Sequence, residues 1–417
     1  MLRHSKELVL QPRSFVKPGL ILLLGLLIGW GVLAATIDRV FANRAPALAS
    51  QWNPGSADAN ARLGDTLLQG GDIKANAARI AALADRSIGR QPINPIAARL
   101  RGLVAAARGD EGRATGLVHY AEAMSRRDLP TQLWLIETNV ARGDVDAALR
   151  HYNRALKTSV SGRNLLFPIL AQAANDRAIW VPLSRMLAER PQWWRPFMVQ
   201  AVQQGNNPDA LYAFARRLGI DQPGRLDTGL LQGIEKRLVD LGDYRRSAEL
   251  FNRAHGQPVG SNPLLRNGGF EQPSGFDPFE WNLKDEPDLA AVRQPSPRAQ
   301  GGSALFLTAT NGRGGDLAVQ LIMLAPGRYV VGATVGGVSG DPLAFPHLVV
   351  RCAKDGREIV NTPFPAAPND GRAWRTGFTV PAGCAAQRIV FQATASLDPS
   401  DLTPWIDNIT IQPQEGR

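Results

Sequence analysis

The side chains best suited to chemistry are few and scattered in this 417-residue chain. Its five histidines stand at 4, 119, 151, 255 and 347, with no His-x-x-x-His pair. Cys352 and Cys384 form no Cys-x-x-Cys unit, so the spacing supports no thiolate metal cluster. There is no Gly-x-Ser-x-Gly elbow and no phosphate loop. Gly312-Arg313-Gly314-Gly315 leads into a strand pattern and reads as a loop. Two acidic groups remain, Asp285, Glu286 and Asp288, and Asp398 with Asp401. Paired carboxylates hydrolyse glycosides. Here both groups lie in Pro-punctuated stretches, where solvated charge is the default. His119-Tyr120 and His151-Tyr152 fall on helical patterns and read as packing or groove residues.

With no catalytic constellation in view, the elements carry the argument. Residues 18–37 hold no charge and are strongly apolar. Twenty helical residues at about 1.5 Å each span roughly 30 Å, the hydrocarbon thickness of a bilayer. Arg3, Lys6, Arg13 and Lys17 precede the run, against Glu7 alone. This excess predicts a cytoplasmic tail (1–17), a transmembrane anchor (18–37) and the rest outside. The competing reading is a cleaved signal peptide, with Ala47-Leu48-Ala49 or the weaker Leu33-Ala34-Ala35 as the site. Residues 38–59 mix Ala, Pro, Ser, Asn and Gly without a period and read as a tether.

The net charge of +10 is uneven. Residues 38–260 carry 30 bases and 21 acids, whereas residues 261–417 carry 13 and 15. The basic middle suits an anionic glycan or membrane surface, or simply arginine-rich helix faces. Nothing points to nucleic acid.

Across residues 60–256 a short pattern recurs. Gly143-Asp144 is followed by Ala148, Tyr152 and Ala155; Gly109-Asp110 by Ala114, Val118 and Ala121; Gly242-Asp243 by Ser247, Phe251 and Ala254. Weaker starts stand at 71, 175 and 205. Glycine tolerates positive φ at a helix end, Asp caps the next helix, and small residues let helices approach. The pattern resembles the tetratricopeptide repeat, with a period near 34 residues. That resemblance implies a curved solenoid whose surface grips a protein partner. Pro168, Pro182, Pro191 and Pro196 interrupt the pattern between 160 and 235. Trp193-Trp194, flanked by two of these prolines, is either interhelical packing or an exposed partner-binding patch.

Glycine and proline become denser after residue 256, as turns between short strands require. Strand patterns fall at 304–308, 317–324, 328–335, 348–352, 374–380, 388–394 and 405–411. They predict an all-β sandwich or jelly roll over 262–414. Cys352 ends one strand and Cys384 precedes another; outside the cytoplasm a disulfide between them is expected, with two buried thiols as the alternative. The domain opens with Asn267-Gly268-Gly269-Phe270-Glu271 and closes with Trp405-Ile406-Asp407-Asn408. Trp281, Pro326-Gly327-x-Tyr329 and Trp374 with Phe378-x-Val380-Pro381 lie between. This resembles the galactose-binding-like jelly roll of carbohydrate-binding modules. The resemblance implies a structural calcium held by Glu271 and Asp407; the alternative is that both carboxylates accept backbone N–H groups. It does not name sugar-binding residues. Phe276, Phe279, Phe345, Phe364 and Trp405 are candidate loop aromatics.

The expected architecture is therefore one transmembrane helix, a tetratricopeptide-like α-solenoid and an all-β jelly roll. The expected function is that of a non-enzymatic adaptor on a bacterial inner membrane, with its bulk in the periplasm. Its repeats bind protein, its β domain contacts polysaccharide or protein, and it serves polysaccharide synthesis or export. The alternatives are a glycan-active enzyme with its site in the β domain and a secreted carbohydrate-binding protein.

Overall fold

The computed structural model describes residues 13–258, 260, 263–394 and 402–414. Residues 1–12 of the expected cytoplasmic tail, His4 among them, and Asp398 and Asp401 lie outside the described residues. Two compact units divide between Leu166 and Phe167.

The first unit opens with α1 (Arg13–Phe41), α2 (Pro46–Trp52), α3 (Ala57–Gln69) and α4 (Ile73–Arg90). It continues through α5 (Pro95–Ala107), α6 (Glu111–Met124), α7 (Leu129–Ala141) and α8 (Val145–Thr158). The division then falls within α9 (Val160–Ala173). Within α1, Gly19–Phe41 is long and apolar enough to cross a membrane. Its large apolar side chains from Leu20 to Leu33 are exposed, a surface that water disfavours. The expected tether is instead largely helical. Ala42, Ala49 and Ala59 form a small buried cluster joining the end of α1 to α2 and α3, because methyl-sized side chains let the three segments close up.

The repeat pattern marks the second helix of each pair. Asp72, Asp110 and Asp144 each accept a backbone N–H from the first turn of the helix that follows. Gly109 and Gly143 have φ of 83° and 74°, the left-handed turn that glycine permits without strain. A Cβ on Gly102 of α5 would sit 2.7 Å from Val118 of α6. The two helices therefore touch through the bulky position of the pattern. A buried arginine ties three elements together: Arg99 of α5 reaches Asp65 of α3 at 2.9 Å and Asp128, the cap of α7, at 2.7 Å.

The second unit carries α10 (Arg177–Ala188), α11 (Trp194–Gln204), α12 (Pro208–Leu218), α13 (Thr228–Asp240) and α14 (Tyr244–Ala254). Asp176, Asn207 and Asp243 repeat the capping role. Pro168 and Pro182 lie inside helices rather than ending them. Helices two apart pack together, α10 on α12, α11 on α13 and α12 on α14, as stacked helix pairs must.

Eleven strands follow among the described residues: β1 (Asn282–Leu283), β2 (Asp285–Glu286), β3 (Leu289–Pro295), β4 (Ser303–Ala309), β5 (Gly315–Ile322) and β6 (Gly327–Gly336), then β7 (His347–Cys352), β8 (Glu358–Pro363), β9 (Arg372–Val380), β10 (Gln387–Ala393) and β11 (Trp405–Pro413). They form two antiparallel sheets, ordered β1-β5-β10-β7-β8 and β2-β3-β4-β11-β6-β9. Phe270, Trp281, Phe364 and Phe391 fill the core between them. The fold class is thus an α-helical array preceded by one apolar helix and followed by a β-sandwich.

Candidate functional site

On the five-stranded sheet, Ile389 and Phe391 point into the sandwich, so their neighbours Arg388 and Val390 point out. Register places Leu321 beside Arg388, and Val319 beside Val390. This outer face is partly covered by α13. Val239 and Asp240 of α13 share a cleft of about 420 Å3 with Val319, Leu321, Asp316 and Arg388. Lys236, Asp277, Pro278 and Asn282 complete it. The lining is charged and aliphatic and contains no aromatic ring.

The seam beside this cleft is built from side chains on both parts. Gln232 Nε2 donates to the Gly275 carbonyl at 2.6 Å, and one turn later Lys236 Nζ meets Asp277 at 2.6 Å. On α14, Phe251 lies 5.6 Å from Phe276 and 5.3 Å from Phe279 between ring centroids. The Arg266 guanidinium sits 4.7 Å above Phe251 and donates to Asn252 Oδ1 at 3.0 Å. Arg266 N–H in turn donates to Gln320 on β5. Burial lowers the Arg266 pKa from its usual range. Glu235 of α13 is fully buried, and neither carboxylate oxygen has a hydrogen-bond partner among the described residues. Burial pushes its carboxyl well above the usual range, and the Asp277 charge adds to the effect. Asp277 itself is held in the Lys236 pair and Asp316 in a pair with Arg351 at 3.3 Å.

Glu271 and Asp407 do come together. A Cβ on Gly301 would be 2.6 Å from Glu271 Oε1, and segment 300–303 bridges both acids. Gln300 N–H donates to Asp407 Oδ2 at 2.8 Å, Asn408 N–H to Oδ1 at 2.6 Å, and Ser303 N–H to Glu271 Oε1 at 3.2 Å. Burial, with the Glu271 charge adding to it, raises the Asp407 carboxyl against these hydrogen bonds. Two hard oxygen donors with repelling charge fit a calcium ion in kind. No group of three or more His, Cys, Asp or Glu converges among the described residues.

Cys352 and Cys384 are bonded, with Cα atoms 5.5 Å apart. The Trp193-Trp194 patch needs correction. Trp193 is fully buried against Phe167 and Phe197, where its ring fills apolar space between helices. Only Trp194 reaches the surface, with the Arg190 guanidinium 5.3 Å over its ring. The loop aromatics fail in the same way. Phe276, Phe279, Phe345, Phe364 and Trp405 are all buried. Trp405 lies on bare backbone: a Cβ on Gly336 would come 2.3 Å from its ring.

The remaining candidates are structural. Glu286 is paired with Lys284 at 2.6 Å and Arg313 at 3.0 Å; hydrogen bonding from Lys284 lowers its carboxyl pKa. Asp288 accepts from Thr310 and Asn311. His151 bonds Gln132 at 2.9 Å, and burial lowers its pKa against the pull of Glu122. His255 stacks on Phe251, and His347 bonds Asn361 at 2.6 Å.

No protein-family model matches the chain, and no curated protein matches it. Solved structures resemble parts of it. Over 36% of this chain and 21% of the other, it is 14% identical to the enzymatically active domain of tailspike protein 4 of bacteriophage CBA120, with a TM-score of 0.29. The chain thus spans about a fifth of that structure's length. The β half is similar to a family 16 carbohydrate-binding module, 20% identical over 36% of this chain and 99% of that one, TM-score 0.25. The helical half is similar to YrrB, described as a tetratricopeptide protein with an unusual peptide-binding site, 14% identical over 49% of this chain and 96% of that one, TM-score 0.26.

Proposed function

We propose that this protein is a non-enzymatic, membrane-anchored adaptor, with α1 in a bacterial inner membrane and the rest in the periplasm. The helical array binds a protein partner, and the β-sandwich contacts a polysaccharide being made or exported. One observation carries the reading: the charged cleft is shared between α13 and the outer face of the five-stranded sheet. A ligand seated there touches both parts at once, which is what coupling a glycan to a protein assembly requires. With no ring to stack on, recognition rests on hydrogen bonds that sugar hydroxyls accept from Asn282 and Arg388 and donate to the carboxylates. An uncleaved anchor is supported by Ala49, which lies buried in the cluster that binds α1 to α3. Glu271 and Asp407 would hold a calcium ion that pins the two ends of the sandwich, with no part in chemistry.

The test is retention of soluble polysaccharides by the full chain in detergent. Binding to at least one glycan, reduced tenfold or more by Arg388→Ala with Asn282→Ala, is expected. Absence of binding to every glycan overturns the sugar role.

The alternative is a glycan-active enzyme, favoured by Asp240, Asp277 and Asp316 lining one cleft. Product release from a bound glycan, abolished by Asp240→Asn, would establish it. The ion pairs on Asp277 and Asp316 favour binding over proton transfer.

A further inference from the structure

The first helices of the array carry an apolar and basic surface that the proposed function leaves unused. Arg44 and Ala45 N–H both donate to the Phe41 carbonyl, at 3.1 and 2.7 Å, so α1 turns directly into α2. Four residues separate the two helices, which keeps α2 within about 15 Å of the end of α1. The alanine cluster then fixes α2 by its Ala49 side. Leu48 and Trp52, one turn apart on α2, are left 42% and 53% exposed, and Val40 and Phe41 of α1 are exposed as well.

A second segment joins this surface. The Arg90 guanidinium at the end of α4 comes 3.8 Å from where a Cβ on Gly55 would stand. Asn94 Nδ2 donates to Asp58 at 3.4 Å, which holds the α4–α5 loop beside the start of α3. At the tip of that loop Ile93 is 70% exposed. Arg39 and Arg44 are exposed on the α1 side.

We propose that this face rests on the bilayer: Leu48, Trp52 and Ile93 enter its interfacial layer, and Arg44 and Arg90 lie among anionic headgroups. The inference rests on reading α1 as a membrane span. Continuity supports it, since the apolar surface of α1 runs on through Val40 and Phe41 to α2. Charge supports it too, because arginines reach headgroups while their stems and neighbouring rings lie in the apolar boundary. Each basic side chain near anionic headgroups adds to that attraction. The first part of the array would then be held against the membrane rather than on a free tether.

The test uses the full chain in phosphatidylcholine vesicles with and without phosphatidylglycerol. Environment-sensitive dyes are placed on Leu48→Cys, Ile93→Cys and, as a reference for α1, Leu24→Cys; the two native cysteines are bonded to each other. At positions 48 and 93, blue-shifted emission quenched by lipids labelled near the headgroup is expected. At position 24, quenching by lipids labelled deep in the chains is expected. Arg44→Glu with Arg90→Glu should halve the shallow quenching, or more, only where phosphatidylglycerol is present. Deep quenching at 24 with water-like emission at 48 and 93 overturns the proposal and leaves the span reading intact; such a face covers a protein partner or none. Water-like emission at 24 overturns both. Shallow quenching indifferent to the double charge reversal overturns the headgroup contact.

Discussion

Arg99 in the first unit and Glu235 in the second are both fully buried charged residue types. Arg99 has a carboxylate on each side, from Asp65 and Asp128. Glu235 has no hydrogen-bond partner on either oxygen among the described residues. Burial removes hydration from both, and only Arg99 regains it in kind. Arg99 is therefore a cross-link that keeps its charge. Glu235 stays in place by holding its proton, which makes the packing around it depend on pH. Asp221 stands between them. Its Oδ2 takes Arg216 at 2.7 Å and Arg253 at 2.8 Å, while its Oδ1 has no partner among the described residues.

The largest expected effect is at Arg99. Arg99→Met keeps much of the volume but leaves two partly hydrated carboxylates facing an apolar chain. A loss of about 3 kcal/mol is expected, at the low end for a broken buried pair because Asp65 and Asp128 still touch water. Hydrogen exchange across α5 and α7 reads it; a loss below about 1 kcal/mol would show that the node is not a cross-link. Asp221→Asn should follow at about 2 kcal/mol, since both arginines can turn to solvent. Denaturant unfolding of the second unit, followed through exchange in α12 and α14, checks this value.

Much of the fold was legible because its signals are local. The Asp and Gly positions of the repeat predicted where second helices start, and the caps stand there; at the start near 205 the cap is Asn207. Seven strand patterns were readable, several of them with the alternation that a half-buried sheet imposes. The 3-residue pattern of β3 fades into exposed residues after Ala291, and β8 is an edge strand with no fully buried residue, so neither announced itself. The cleft was not legible. The change in composition near residue 256 suggested two independent domains, whereas Phe251, Phe276 and Phe279 meet across it. One signal could have been read: Glu235 interrupts the apolar stripe of Leu231, Ile234 and Leu238 on α13.

The next effect is at Glu235 and tests the unpaired arm of the comparison. Its folded-state pKa is raised well above 4.5, so the folded state binds the proton more tightly than the unfolded chain. The packing of α13 is then fully stable below about pH 4.5 and weakens as pH rises through the folded-state value. Lys236 and Arg388 line the adjoining cleft, and the Asp277 charge opposes ionisation of Glu235 further. Protection of α13 and of residues 275–283, corrected for intrinsic exchange, should fall as pH rises from 5 to 8 with a slope of at most about 1.4 kcal/mol per unit. Glu235→Gln should flatten that slope, and Glu235→Leu should add about 1 kcal/mol at neutral pH by removing the polar group. A wild-type profile that is flat would mean that Glu235 has an ionic partner after all.

The smallest effect is at the neighbouring residue and separates the carboxyl from its surroundings. Lys236 and Asp277 form a short ion pair, but Lys236 is about half exposed. Lys236→Ala should therefore cost under about 1 kcal/mol and lose most of that difference at high salt. Its removal leaves the Asp277 charge, which opposes ionisation of Glu235, without its partner, so the pH dependence should persist. If Lys236→Ala flattened the profile as Glu235→Gln does, the pH dependence would not belong to the buried carboxyl alone. The contrast between a matched and an unmatched buried charge would then have to be redrawn around the loop.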